Sequence, residues 1–252
     1  MARIVILGTA AAVNDAQHDY THFVLIGERN TPILVDAGSN PLGKLKDLGI
    51  TDETLQDVIL THFHADHVSG VPNMLMHLWL LGRQAPMRFY GLHHCANRFE
   101  NLMEGFSWEE YPGFFPVTFH RIKEHNRAPV LENDDFRITA WPVKHFIPTI
   151  GLRIENKITG NILAYTCDTM PTPSLLELGK DADLLIHESA GEGFGHSSAR
   201  QAGETATQCK AKSLYLIHYW VWNRDPSPLV DEARESYDGP VILAKDYDEY
   251  EF

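Results

Sequence analysis

Short apolar runs rich in β-branched residues recur along almost the whole chain, and nothing else in the sequence restricts the fold as strongly. RIVIL begins at Arg3, HFVLI at His22, PILVD at Pro32, DVILT at Asp57 and MRFY at Met87. FRITAW follows from Phe136, TIGLRIE from Thr149, NILAYT from Asn161, DLLIH from Asp183, SLYLIH from Ser213 and PVILA from Pro240. Most are too short for helices and are bounded by Gly, Pro, Asn or Asp, so they read as strands. Helical patterns fall between them, near residues 41–48, 69–81, 93–104, 198–212 and 226–236. The alternation predicts an α/β fold with helices covering sheets. The stretch FSWEEYPGFFPV, residues 106–117, interrupts any regular pattern and reads as a lid or connector inside one domain. A chain of 252 residues buries roughly three quarters of its unfolded surface, so a single domain over 1–252 is expected, with no metal or disulfide needed merely to fold.

Charge narrows the partners. Lys and Arg number 21 against 34 Asp and Glu, a net charge of -13. Long nucleic acids reward the opposite sign through counterion release, so they are disfavoured. No apolar stretch approaches the ~20 residues that span a bilayer, so no membrane association is expected. The opening MARIVILGTAAAV has one basic residue and an apolar part of strand length, which makes it a first strand rather than a signal peptide. Cys95, Cys167 and Cys209 form no C-x-x-C pair, and a reducing cytoplasm suits them.

The run DVIL leads directly into THFHADH, which places His62, His64, Asp66 and His67 within six residues. Imidazole and carboxylate are ligands for zinc, manganese and iron. His62 and His64 share one side of an extended backbone, and the turn after them lets Asp66 and His67 face a neighbouring point. One segment can thus begin two metal sites, completed by residues at the ends of other strands. His145 after FRITAWPVK, Asp168 after NILAYTC and His218 after SLYLI stand in such places.

THFHADH with a later His, a later Asp and a final His resembles the metallo-β-lactamase fold superfamily, from the first strand through His218. The resemblance implies a four-layer αβ/βα sandwich with a binuclear site in the cleft between the sheets. It implies that His62, His64 and His145 hold one divalent ion, that Asp66, His67 and His218 hold the other, and that Asp168 bridges them. Zinc is the expected metal, with manganese or iron as alternatives. Asp36 in LVDAG resembles the family's early aspartate, which supports the histidine loop; a turn role is the other reading. Two such cations, roughly 3.5–4 Å apart, would lower the pKa of a bridging water and supply a metal-bound hydroxide to a hydrolase. A histidine at His64 argues against the redox branch, whose members carry a carboxylate there.

IHESAGEGFGHSSARQ resembles the ribonuclease Z-like branch, in which HE[AS] and GH[ST] recur. Glu188 and His196 are therefore candidate catalytic residues, together with Asp66. Glu188 would fix the tautomer of His196, which would stabilise a phosphorane or protonate a leaving alkoxide. Support of the loop alone is the other reading of this pair. Ser198 and Gln201 fit a capping box, which suggests free helix N–H groups facing an anion near His196.

The chain departs from that branch in three places. HFIPTIGLRIENKITGNILAYTCD runs on without the long basic, glycine-rich arm that the branch carries after the strand leading to its equivalent of His145, Cys167 replaces a glycine, and HYWVWNRD replaces HFSxRY. Cys167 reads as a packed small residue. The expected activity is hydrolysis of a phosphodiester in a small or short single-stranded substrate. The alternative is a carboxylic derivative such as a lactone, thioester or β-lactam. Two aromatic groups, Phe106 to Phe115 and Tyr219, Trp220 and Trp222, suit either a cleft wall or a homodimer contact. His18 or His22 could reach the cleft mouth.

Overall fold

Alternate side chains of each inner strand serve two different cores. In β1 (Arg3–Gly8), Ile4 and Ile6 point between two sheets while Val5 and Leu7 meet helices; in β2 (His22–Ile26), Phe23 and Leu25 point inward and Val24 outward. Both faces are buried, so the runs are continuously apolar rather than alternating with polar residues. The computed structural model describes residues 2–29 and 32–252.

The first sheet also contains β3 (Ile33–Val35), β4 (Asp57–Ile59), β5 (Met87–Leu92) and β6 (Val117–Ile122), with β14 (Glu249–Glu251) beside β1, in the order β14-β1-β2-β3-β4-β5-β6. The second is built from β7 (Ala128–Glu132), β8 (Phe136–Val143), β9 (Thr149–Asn156), β10 (Ile162–Tyr165), β11 (Leu184–Glu188), β12 (Leu214–Ile217) and β13 (Val241–Leu243), in the order β13-β12-β11-β10-β9-β8-β7. Each sheet is antiparallel in one half and parallel in the other: β3 to β6 in the first, β10 to β13 in the second.

One apolar core lies between the sheets, from Ile6 and Phe23 to Leu163 and Ile186. Helices α1 (Leu42–Asp47), α3 (Gly70–Leu80) and α4 (His93–Gly105) cover the outer face of the first sheet through Leu45, Leu75 and Phe99. Helices α5 (Pro173–Leu178), α6 (Ala199–Cys209) and α7 (Leu229–Arg234) cover the second through Leu178, Ala202 and Ala233. This is the four-layer αβ/βα sandwich expected from the sequence. No helix among the described residues is long and apolar enough to cross a membrane.

Several elements lay outside the sequence reading. β6, β7 and β14 are marginal or edge strands whose exposed positions carry Thr, Arg and Glu, so they lack a continuous apolar run. The six residues of α5 are too few to display a helical period. The helix expected over 198–212 stops at Cys209, because Lys210 turns left-handed with φ 55°. Residues 106–117 are a connector and not a lid: Tyr111 stacks on Trp79 at 4.7 Å, and Trp79 Nε1 donates to the Pro112 carbonyl at 3.0 Å.

Candidate metal centre

Most of the polar residues of interest leave the C-terminal ends of parallel strands, where the chain turns from sheet to loop, while His145 follows the antiparallel strand β8. Three of these positions adopt left-handed backbone without being glycine: Asp36 at φ 59°, Cys167 at 54° and His218 at 53°. Such conformations cost on the order of 1–3 kcal/mol each and persist only where the surroundings fix them.

Asp36 does much of that fixing. It accepts hydrogen bonds from Thr61 N at 2.8 Å, Thr61 Oγ1 at 2.7 Å and His67 Nδ1 at 2.8 Å, and so ties the end of β3 to both ends of the histidine loop. Asp36 thus supports the loop rather than merely making a turn. The loop continues as α2 (Ala65–Val68), a short helix carrying Asp66 and His67. A Cβ added at Gly38 would lie 1.9 Å from the Asp66 carbonyl oxygen, so only glycine lets the two segments touch. Gly38→Ala should therefore cost about 1–3 kcal/mol of stability through overpacking, read as a lowered Tm. An unchanged Tm would contradict this close approach.

The loop and its partners form two adjoining groups. In the first, His64 Nδ1 lies 3.1 Å from His62 Nε2 and 3.0 Å from His145 Nε2. The other ring nitrogens fix the tautomers. His145 Nδ1 faces the Gly195 carbonyl at 2.7 Å and must donate, leaving Nε2 with a lone pair. Thr61 gives its proton to Asp36, so it accepts from His62 Nδ1 at 3.1 Å, and His62 Nε2 is likewise a lone pair. In the second group, His218 Nε2 lies 3.4 Å from Asp66 Oδ2 and 3.2 Å from Asp168 Oδ2, and His67 Nε2 lies 3.6 Å from Asp66 Oδ2. Asp168 stands between the groups: Oδ2 is 3.9 Å from His62 and 3.8 Å from His145, and Oδ1 is 3.5 Å from His67.

Electrostatics match this donor set to a divalent cation. Burial lowers the pKa of His62, His64 and His145, that of His145 to about 4, so these rings are neutral and able to ligate. Burial alone would raise Asp168, but His218, His67 and His62 hold it well below the usual carboxylate range. Asp66 is lowered as well: burial opposes this, and His67 and His218 prevail. His67 is raised despite burial, by Asp168, Asp66 and Asp36, the same negative charge that would attract a cation. The buried nitrogens His67 Nε2 and His218 Nδ1 have no acceptable hydrogen bond. Unpartnered buried polar atoms are costly, and at His67 a cation between it and the two carboxylates would satisfy one.

Glu188, at the end of β11, is fully buried and accepts from Thr169 N at 3.1 Å, Ala190 N at 2.8 Å and Ser197 N at 2.9 Å. His196 Nδ1 adds a fourth bond at 3.2 Å. Burial raises the Glu188 carboxyl, and the bond from His196 opposes it. The His196 ring lies nearly parallel to His218, with centroids 5.8 Å apart, and meets His145 edge-on at 4.9 Å. Glu188 therefore both braces the loop and orients His196. The capping box expected at Ser198 and Gln201 is present, but the helix N–H groups are not all free for an anion. Gln201 Oε1 takes Ser198 N at 3.0 Å, Ser198 Oγ takes Gln201 N at 3.3 Å, and Glu232 takes Arg200 N at 3.1 Å.

Both groups open on one cleft of about 530 Å³, lined by His64, His145, His196 and His218 as well as Phe146 and Trp220. Phe146 and the Phe194 beside it went unremarked in the sequence; their place within HFIP and GFGH, next to His145 and His196, was the available signal. Of the aromatic residues after His218, only Trp220 lines the cleft. Tyr219 is buried with its hydroxyl on the Ala244 carbonyl at 2.6 Å, and Trp222 is exposed outside it. Neither His18 nor His22 lines it: His18 Nδ1 bonds Asp15 at 2.9 Å, and His22 is buried against the Tyr20 carbonyl. Cys167 packs in the inter-sheet core, where burial pushes its thiol pKa well up.

Known proteins share this fold. The family described as "Beta-lactamase superfamily domain" matches residues 31–219. A ribonuclease Z of Myxococcus xanthus is 28% identical over 310 aligned positions, covering 98% of this chain and 96% of that protein. The alignment is longer than the 252 residues here, so that relative carries segments with no counterpart in this chain. Among solved structures, the metallo-β-lactamase fold protein YhfI of Bacillus subtilis superposes with a TM-score of 0.84 at 24% identity, covering 100% of this chain and 99% of that one. The short form of human tRNase Z does so with 0.78 at 22% identity, covering 99% and 98%.

Proposed function

The chain belongs to the β-lactamase superfamily, and from that premise we propose that it is a metal-dependent hydrolase of phosphodiester bonds, ribonuclease Z-like in its site. The observation that carries this reading is the 3.2 Å bond between the buried Glu188 and His196, whose ring stands beside both ligand groups. Hydrolysis of a lactone or thioester has no evident need for that pair.

His62, His64 and His145 would hold one divalent ion, Asp66, His67 and His218 the other, with Asp168 shared; zinc suits the nitrogen-rich set. The ions would activate water and stabilise charge on the phosphoryl oxygens. The protein's own part begins with Asp36 and Thr61, which keep His67 and His62 oriented as ligands. Glu188 accepts from His196 Nδ1, which leaves His196 Nε2 to contact the substrate. In its protonated form this nitrogen stabilises the developing phosphorane charge or gives its proton to the departing oxygen, and Glu188 stabilises the cation from behind. The three cysteines are buried free thiols, which supports a reducing cytoplasm.

Protein treated with chelator should lose cleavage of bis(p-nitrophenyl) phosphate and regain it with zinc or manganese, at a content near two ions per chain. Cleavage that persists without metal would contradict the reading, and a firm limit of one ion would contradict the binuclear site.

A further inference from the structure

Resting on the phosphodiesterase reading, we propose that Phe146 and Trp220 make the cleft selective for a phosphodiester whose non-leaving ester group carries one flat ring, such as a single nucleoside, over a polynucleotide. Both residues line the cleft on which the ligand groups open, and both are exposed, Phe146 by 59% and Trp220 by 40%. Large rings left this open next to a reactive centre are suited to covering a ligand. Each is also braced. Phe194 meets Phe146 edge-on with centroids 5.1 Å apart, and the Phe146 ring lies 5.1 Å from His145 and 6.1 Å from His196. The Arg224 guanidinium lies 5.7 Å from the Trp220 ring centroid. A ring held in place loses little freedom when a base stacks on it.

Charge excludes the longer substrate. Among the described residues lining the cleft there is no lysine or arginine. Glu192 stands at its edge, its nearest cation being Arg200 at 3.8 Å. A flanking phosphate therefore meets a carboxylate. The cations that border the cleft, Arg200 and Arg224, lie outside its lining and are engaged by Glu192 and the Trp220 ring, which leaves little counterion release to gain. The scissile phosphate is served by the metal groups and His196, and the rest of the ligand by stacking.

The test compares two esters with the same leaving group on zinc-loaded protein: thymidine 5′-(p-nitrophenyl phosphate) and methyl p-nitrophenyl phosphate. kcat/KM should favour the thymidine ester by about tenfold or more, the scale of one base stacked on an aromatic side chain. Trp220→Ala and Phe146→Ala should each draw that ratio towards one, and Trp220→Phe should keep most of it. Calorimetry should show the same preference for thymidine 5′-phosphate over methyl phosphate, and only weak binding of precursor transfer RNA at physiological salt. Equal efficiency on both esters, a ratio unmoved by the alanine variants, or tight binding of the RNA would overturn the proposal. If neither ester is cleaved, the phosphodiesterase reading fails, and the calorimetric preference with its loss in Trp220→Ala still decides whether the rings select the ligand.

Discussion

Asp168→Ala is expected to reduce turnover of a simple phosphodiester by about a thousandfold or more and to leave the protein unable to retain its full metal content. Asp168 lies within 3.9 Å of His62, His67, His145 and His218. Its removal takes an ionised oxygen from each ligand group at once, and losing about 4 kcal/mol of transition-state stabilisation corresponds to a factor near a thousand. The fold should survive, since the inter-sheet core does not depend on the carboxylate, and circular dichroism checks that. A folded variant that keeps two ions and most of its activity would show that Asp168 does not bridge. Asp168→Asn should fall between the two, because the amide preserves the shape while surrendering the charge that His67 and His218 stabilise.

His196→Ala should lower phosphodiester hydrolysis by about a hundredfold or more, the usual range for loss of a general acid, with metal content intact. Any side activity on a lactone depends on the metal groups and should fall much less. The ratio of the two rates isolates His196 from the site as a whole. An equal fall in both reactions would assign His196 a general supporting role and return the carboxylic-ester alternative to equal standing.

The physical origin of what was legible in the sequence is visible in particular residues. β1, β4, β10, β11 and β12 are largely buried on both faces, so their runs are mostly apolar and a polar residue near the C-terminal end stands out. Such strand ends located the THFHADH loop, Asp168 and His218, whereas Asp36 and Glu188 were legible only through their resemblance to family motifs. Edge strands obey no such rule: β14 is Glu-Tyr-Glu, and its pairing with β1 is written in the backbone, not in side-chain pattern. Tertiary contacts also decided matters that spacing cannot reach. Glu232 of α7 occupies the Arg200 N–H that the capping pattern alone would leave free, and the connector's Tyr111 stacks on Trp79 of α3 instead of lining the cleft. Trp220 and Trp222 are two residues apart, yet only one faces the site, because the chain after His218 is not a regular strand.

The central claim is the type of bond cleaved, and the most direct measurement is kcat/KM of one zinc-loaded preparation on bis(p-nitrophenyl) phosphate, an aryl phosphomonoester, a lactone and a thioester. The phosphodiester is expected to be the best substrate of the four, and its cleavage alone to depend steeply on His196. Lactone or thioester hydrolysis faster than that of the phosphodiester would contradict it.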